Sequence, residues 1–281
     1  MKKHLPTILI ILVFVVGLVI MIYPKFSDWY NSTMNSYVVS GYADIVSDTN
    51  EEEFAQILQD AKDYNQELHS LPKQFVTGEA QAEDYIESLD VYNGMMGYIV
   101  IDKIGVELPI YHGTDEDVLQ TGVGHLEGSS LPTGEIGNNT VLTGHTGLPS
   151  ASLFTNLTQM EIGDTFELYI LDEVYTYEVF NIVVVEPYEV DNLEAIDGKD
   201  VVTLVTCTPY GVNSHRLLVQ GEQIEVTEEV VLETSTNIDE NESKYSLMPI
   251  VIIISAVIIA ILVIIIVVWV KKKKKEYRFN N

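Results

Sequence analysis

At 281 residues the chain has room for one domain of ordinary size plus appendages, and 42 acidic residues against 15 lysines and arginines give it a formal charge of −27. Between the two long apolar segments near its ends, seven basic residues face 41 acids, a field that repels anionic lipid and nucleic acid and excludes both as ligands of that region. A single cysteine excludes any internal disulfide.

Leu5 to Tyr23 is almost unbroken apolar sequence behind Lys2, Lys3 and His4. Its length of about 19 residues crosses a ~30 Å hydrocarbon layer at ~1.5 Å per residue. Tyr23-Pro24-Lys25-Phe26 offers no small-x-small cleavage site, so residues 1–23 read as a retained anchor, with a cleaved signal peptide as the rival. Pro249 to Val270, followed at once by Lys271 to Lys275, reads as a second span (249–270) with a basic tail (271–281). Basic residues on both outer flanks place both termini in the cytoplasm and the stretch between the spans outside, giving a two-pass protein of the cell membrane.

From Phe26, apolar residues recur at helical spacing through Trp29, Tyr30, Met34, Tyr37, Val38, Tyr42 and Ile45. A second helix is expected from Thr49 or Asn50, with three acids in its first turn and Phe54, Ile57, Leu58, Ala61 and Leu68 on one face. Residues 24–69 therefore form an extracellular helical module, its aromatic stripes read as packing surfaces rather than a ligand cage. Past Asn93-Gly94 the texture changes to β runs: 96–101, 106–111, 140–143, 165–171, 174–185, 201–207 and 216–225, with one helical stretch around 152–160. So many strands between turn signals argue for a barrel or sandwich over 94–226. The acidic run that follows, with few aromatics, reads as a flexible stalk, 227–248.

The chemistry concentrates at Val201 to Leu217. A β-branched, apolar strand delivers Cys207 near its end, Pro209, Gly211 and Asn213 supply a turn, and a second strand resumes at Arg216, the lone arginine between the apolar segments. A hairpin here sets a thiol near a permanent cation. Taken locally, Cys207 also fits a small core residue, and an exported protein keeping one free thiol is the observation that favours a working one. A nucleophilic thiol needs a base. Of six histidines, His145 sits between glycines in Thr143-Gly144-His145-Thr146-Gly147 at a strand end, where it fits either a hydrogen-bonded loop residue or an exposed imidazole. His215 competes by proximity, but strand alternation turns it to the face opposite Arg216.

TLVTC followed by TPYGVNSHRLLVQGE, together with MMGYIVIDKIGVELPIYHGT, GVGHLEGSSLPTGEIGNNTVLTGH and TGLPSASLFTNL upstream, resembles the sortases of Gram-positive bacteria, and within them class C, the pilin-polymerising group. The likeness runs from about Met95 to Glu222. It implies a mainly β fold, a closed, roughly eight-stranded barrel with short helices. It also implies Cys207, His145 and Arg216 as catalytic residues, with His112 and His125 structural or lining the cleft. The family usually has a basic residue after the histidine, where this chain has Thr146, so the resemblance does not carry over a charge contact at that point. By this resemblance the protein is a cysteine transpeptidase. It cleaves LPxTG-like sorting signals of surface proteins or pilins between Thr and Gly and passes the acyl group to a pilin lysine or, in a housekeeping-type sortase, to an amine of a peptidoglycan precursor. No metal or other cofactor is expected.

A non-catalytic surface adhesin and a hydrolytic cysteine protease are the rival classes, the latter without a papain-like Cys-Gly-Ser-Cys-Trp signature in this chain. Leu131-Pro132-Thr133-Gly134 partly matches a sorting signal but falls inside the expected core, so it is not read as a tag. Class C sortases carry a lid ahead of the barrel, often with Asp-Pro-Trp or Asp-Pro-Phe. The connection 70–93 lacks that tripeptide but has suitable length, with Phe75 as a candidate plug or, equally, an ordinary linker residue packed on the barrel.

Overall fold

A computed structural model describes residues 5–71, 75 and 85–225. The expected stalk, second span and basic tail, and half of the connection 70–93, lie outside the described residues. The first helix, α1 (Leu5–Asp48), is continuous over 44 residues and contains Pro24. The sequence reading broke the chain there. A proline forfeits one backbone hydrogen bond, and strong helix-forming apolar pattern on both sides carries the helix through it. The N-terminal part of α1 is apolar and long enough to cross a membrane.

Only part of the aromatic stripe on α1 packs against the barrel. Val39 and Tyr42 are buried, whereas Phe26, Tyr30, Met34 and Tyr37 are exposed. Tyr42 donates from its hydroxyl to Met96 O at 3.0 Å and accepts from Leu171 N at 2.7 Å, and burial pushes its phenol well above the ordinary tyrosine range. The second helix, α2 (Glu51–Ser70), is capped by Asn50, whose Oδ1 accepts from Glu53 N at 2.9 Å. Its apolar face, Phe54 and Ala61 with Ile57 and Leu58 beside them, lies on the main core as expected. Asn65 of α2 holds Leu131 through both N–H and C=O at 2.7 and 3.0 Å. Leu131 and Thr133 are buried, so the LPTG run is core structure and unavailable as a tag.

Eight strands close the barrel: β1 (Met95–Ile101), β2 (Val106–His112), β3 (Val123–His125), β4 (Asn139–Thr143), β5 (Thr165–Ile170), β6 (Glu173–Val185), β7 (Val201–Thr208) and β8 (His215–Ile224). Their order around the barrel is β1-β2-β3-β4-β7-β8-β6-β5. Neighbours β2/β3 and β4/β7 run parallel, and the other pairs run antiparallel. The seven strands expected from the sequence are present. The eighth, β3, is three residues with a central glycine, too short to show a period. Between β2 and β3 lies a one-turn helix, α3 (Glu116–Leu119), which the sequence reading also missed. The expected helical stretch near 152–160 is a 3-10 turn, Thr155–Gln159.

Strand alternation divides the barrel wall into two apolar sets. Leu142, Val202, Leu204, Leu217 and Val219 join the main core. Their neighbours Val141, Val205 and Leu218, with Val185 and Leu193, form a second cluster on the other face of the same strands. That outer face carries the site.

Candidate active site

Cys207 is the penultimate residue of β7, and the antiparallel register sets it directly opposite Arg216 of β8. Directly opposed residues share a face, so thiol and guanidinium emerge together. His215, one residue earlier, pairs with Thr208 and belongs to the opposite face. Its Nδ1 lies 2.8 Å from Ser214 Oγ and its Nε2 lies 3.4 Å from Glu186 Oε1.

The parallel strand β4 flanks β7 on its other side, with Thr143 level with Val205. Gly144 N donates to Val205 O at 3.0 Å, and Thr206 Oγ1 donates to Gly144 O at 2.7 Å, so the register continues past the end of β4. Two residues on, His145 is level with Cys207, and it falls on the same face because Val141, Thr143 and His145 alternate in step with Val205 and Cys207. Three adjacent strands thus bring His145, Cys207 and Arg216 to one end of one face. Gly144 is required here: a Cβ would stand 2.7 Å from the ring of Phe154. Phe154 N in turn donates to His145 O at 3.1 Å, fastening the loop that leaves the site.

Cys207 is half-buried and free. Arg216 Nη1 donates to His215 O at 3.1 Å and to Asn213 O at 3.4 Å. Among the described residues, no carboxylate lies within ion-pair distance of it. His145 Nε2 is buried without a hydrogen-bond partner among the described residues, yet stands 3.5 Å from Glu116 Oε2. The distance fits an ion pair with imidazolium, while the geometry falls short of a hydrogen bond; the contact is best described as electrostatic. Glu116 is anchored by Gln120 Nε2 at 3.0 Å, and this bond together with the nearby imidazole lowers its carboxyl below the ordinary value. Sequence reasoning missed Glu116. It stands in the run Asp115-Glu116-Asp117, which carries the pattern of a solvated acidic turn.

His112 and His125 belong elsewhere. His125 is fully buried, with Nδ1 2.9 Å from Tyr85 Oη and Nε2 2.9 Å from Ser130 O, and burial pushes it down to about 4. His112 Nε2 lies 2.7 Å from Ser88 O. Both fix the chain around Tyr85 to the barrel. Phe75 comes down on the face that carries Cys207, half-buried against the cluster of Val141, Val185, Leu193, Val205 and Leu218. Of the connection 70–93, residues 72–74 and 76–84 lie outside the described residues.

Comparison with known proteins bears on the family and the fold. The sortase domain family matches residues 99–224. Sortase D of Bacillus subtilis is 32% identical over 133 residues, 46% of this chain and 63% of that protein. The chain spans less than two thirds of the length of the curated relatives it matches. Among solved structures, sortase C1 of Streptococcus agalactiae superposes with a TM-score of 0.65 at 44% identity, covering 67% of this chain and 98% of that one. Sortase C of Streptococcus pneumoniae, a structure bearing on catalysis and pilin substrate specificity, superposes at 0.61 with 39% identity, covering 68% and 98%. The eight-stranded barrel, the family match across it and these likenesses agree: the chain belongs to the sortase family, with class C sortases among the structures it resembles.

Proposed function

We propose that the protein is a membrane-anchored cysteine transpeptidase that cleaves an LPxTG-like sorting signal between Thr and Gly and joins the new carboxyl end to an amine, a pilin lysine. The observation that carries this reading is the register that sets Cys207 opposite Arg216 and level with His145. Class C likeness, and the pilin specificity described for the Streptococcus pneumoniae enzyme, support pilin as the substrate class.

A thiol of ordinary acidity is only a few per cent thiolate at neutral pH, so the working form of the site is thiolate beside imidazolium and guanidinium. Cys207 Sγ attacks the Thr carbonyl, and the carbonyl electrons move onto its oxygen. Arg216 donates to that oxyanion, a preorganised contact worth roughly 3 kcal/mol of barrier. As the C–N bond breaks, His145 passes its proton to the departing Gly amine, leaving a Thr thioester on Cys207. The incoming amine attacks the thioester, His145 takes its proton back, and the thiolate is released. In this reading Phe75, packed on the face that carries Cys207, covers the thiol in the resting state and moves aside for the peptide.

The apolar N-terminal part of α1 supplies one anchor, and Pro249 to Val270 a second, with both termini in the cytoplasm and the barrel outside. Mass spectrometry of the enzyme with an LPxTG-like peptide tests the chemistry. A thioacyl adduct on Cys207, absent in Cys207→Ala, is expected, and turnover in Cys207→Ala overturns the assignment. The acceptor is tested by competition between a lysine-bearing pilin peptide and a peptidoglycan stem amine; preference for the stem amine moves the protein to wall anchoring.

A further inference from the structure

We propose that Glu116 is a positioning residue for His145: its carboxylate receives the Nε2–H side of the imidazole and leaves Nδ1 to exchange protons with the thiol and the leaving amine. The inference rests on the transpeptidase reading and assigns a part in it to a residue outside the cysteine, histidine and arginine set.

Nε2 of His145 is buried with no hydrogen-bond partner among the described residues, an arrangement that folded proteins avoid unless the atom is used. Its side chain is 25% exposed and the carboxylate of Glu116, 67% exposed, stands 3.5 Å away. An ionised carboxylate only accepts, so whichever proton sits on Nε2 is favoured there, and the partner of one ring nitrogen decides the task of the other.

Glu116 is held for this purpose. It begins α3, and Gln120 Nε2 grips its Oε1 at 3.0 Å, leaving Oε2 turned to the imidazole. The chain reaches α3 directly from β2, and Leu119 anchors the turn in the barrel wall. The other titratable or charged groups around His145 are Cys207 on β7, Arg216 on β8, and Asp115 and Asp117 on the same turn as Glu116; Tyr210 from the β7–β8 turn packs over Gly147. Of these, Glu116 is the carboxylate that stands against the ring. Its effect is to fix the Nε2 side of the ring, leaving Nδ1 for the thiol and the departing amine.

The fold contains its own control. Glu186 stands 3.4 Å from His215 in the same kind of pair, but His215 belongs to the face opposite Cys207 and Arg216. The test compares Glu116→Gln, Glu116→Asp and Glu186→Gln in pH profiles of kcat/KM with an LPxTG-like peptide and a lysine amine. Glu116→Gln keeps an oxygen for Gln120 and removes the charge. It is expected to move the alkaline limb to lower pH by about half a unit to one unit, the usual effect of losing one nearby opposite charge. Glu116→Asp should fall between, and Glu186→Gln should leave the limb in place. Because Glu116 is exposed, raising salt to about 1 M should move the wild-type limb toward that of Glu116→Gln. Thermal unfolding should be unchanged in all three.

An unmoved alkaline limb in Glu116→Gln overturns the proposal, provided Cys207→Ala and His145→Ala are inactive in the same assay. Turnover in either of those variants overturns the transpeptidase reading itself. An equal displacement in Glu186→Gln and Glu116→Gln reduces the effect to general surface charge and also overturns the specific role.

Discussion

Asp28 on α1 accepts a 2.6 Å hydrogen bond from the backbone N–H of Ser152, joining the helix that carries the apolar N-terminal segment to the loop that leaves His145. Asn31, one turn further, donates from Nδ2 to Ser150 O at 2.8 Å. At ~1.5 Å per residue Asp28 stands only about 8 Å beyond Tyr23, so the loop flanking the site is tied to α1 just above the end of its apolar stretch. The helix is thereby part of the site's scaffold.

Removing both grips, Asp28→Ala with Asn31→Ala, should free this loop without unfolding the barrel. Each exposed bond contributes about 1 kcal/mol, so the Ser152 amide should exchange with solvent roughly tenfold faster. Turnover should fall a few-fold, since His145 keeps its Gly144 anchorage. Unchanged exchange at Ser152 would show that the loop is held by Phe154 and Thr155 alone.

The two histidines near the thiol make opposite predictions. His145→Ala should lose as much activity as Cys207→Ala, because groups that act as one unit fail together. His215→Ala should lose little, its ring being engaged with Ser214 and Glu186 on the other face. Arg216→Lys should be severely impaired, since an ammonium keeps the charge but loses the planar fork that presents two donors. Steady-state rates with one peptide substrate rank all three, and near-normal kcat in Arg216→Lys would reduce Arg216 to a structural residue.

How far the sequence reaches depends on the range of the contact. Cys207 and Arg216 are joined by a short turn, so their pairing is readable from a strand, a breaker cluster and a strand. His145 reaches them through the parallel pairing of β4 and β7, whose partners lie about sixty residues apart, and no local pattern reports that register; resemblance identified it instead. Glu116 was invisible because an acid in an acidic turn looks like any solvated acid until the fold sets His145 beside it. Pro24 misled the reading of α1, since a helix breaker flanked by strong helical pattern is overruled by its neighbours. The exposed ring row of Phe26, Tyr30 and Tyr37 was likewise read as buried from spacing alone, which reports a face but not what covers it.

Two buried groups give stability opposing pH dependences. Asp200 is 4% exposed, accepts from Tyr177 Oη at 2.8 Å, and burial pushes it up to about 7 from an ordinary 3.8. The folded state then holds a proton that the unfolded state releases, so its contribution is full below about 3.8 and is lost as pH rises to about 7. His125 acts in the other direction. Burial holds it near 4 against an ordinary 6.5, the unfolded state binds the extra proton, and stability rises with pH across that window. The two partly cancel between about 4 and 6.5. Asp200→Asn should therefore expose the His125 trend: urea unfolding of the variant should show stability climbing more steeply with pH than the parent, and exceeding it above pH ~7. Parallel curves for the two proteins would mean that Asp200 is not protonated in the folded state.

Phe75, the lid candidate, lies on the face that carries Cys207. It packs with Leu126 and Val183 on the cluster containing Val205 and Leu218, and these two residues precede Cys207 and follow Arg216 on the same face by one alternation. As a lid, a ring there would cover the approach to the thiol from that face. If the covered state is favoured by only ~1.4 kcal/mol, the reactive fraction of Cys207 falls about tenfold. Phe75→Ala removes the ring from a half-buried position, so it should cost little thermal stability, while alkylation of Cys207 by a small thiol reagent should speed up by up to about tenfold. Peptide turnover should rise where uncovering limits the rate. An unchanged alkylation rate in Phe75→Ala, with the thiol still reactive, would mean that Phe75 is a packed linker residue and that the groove is open in the resting enzyme.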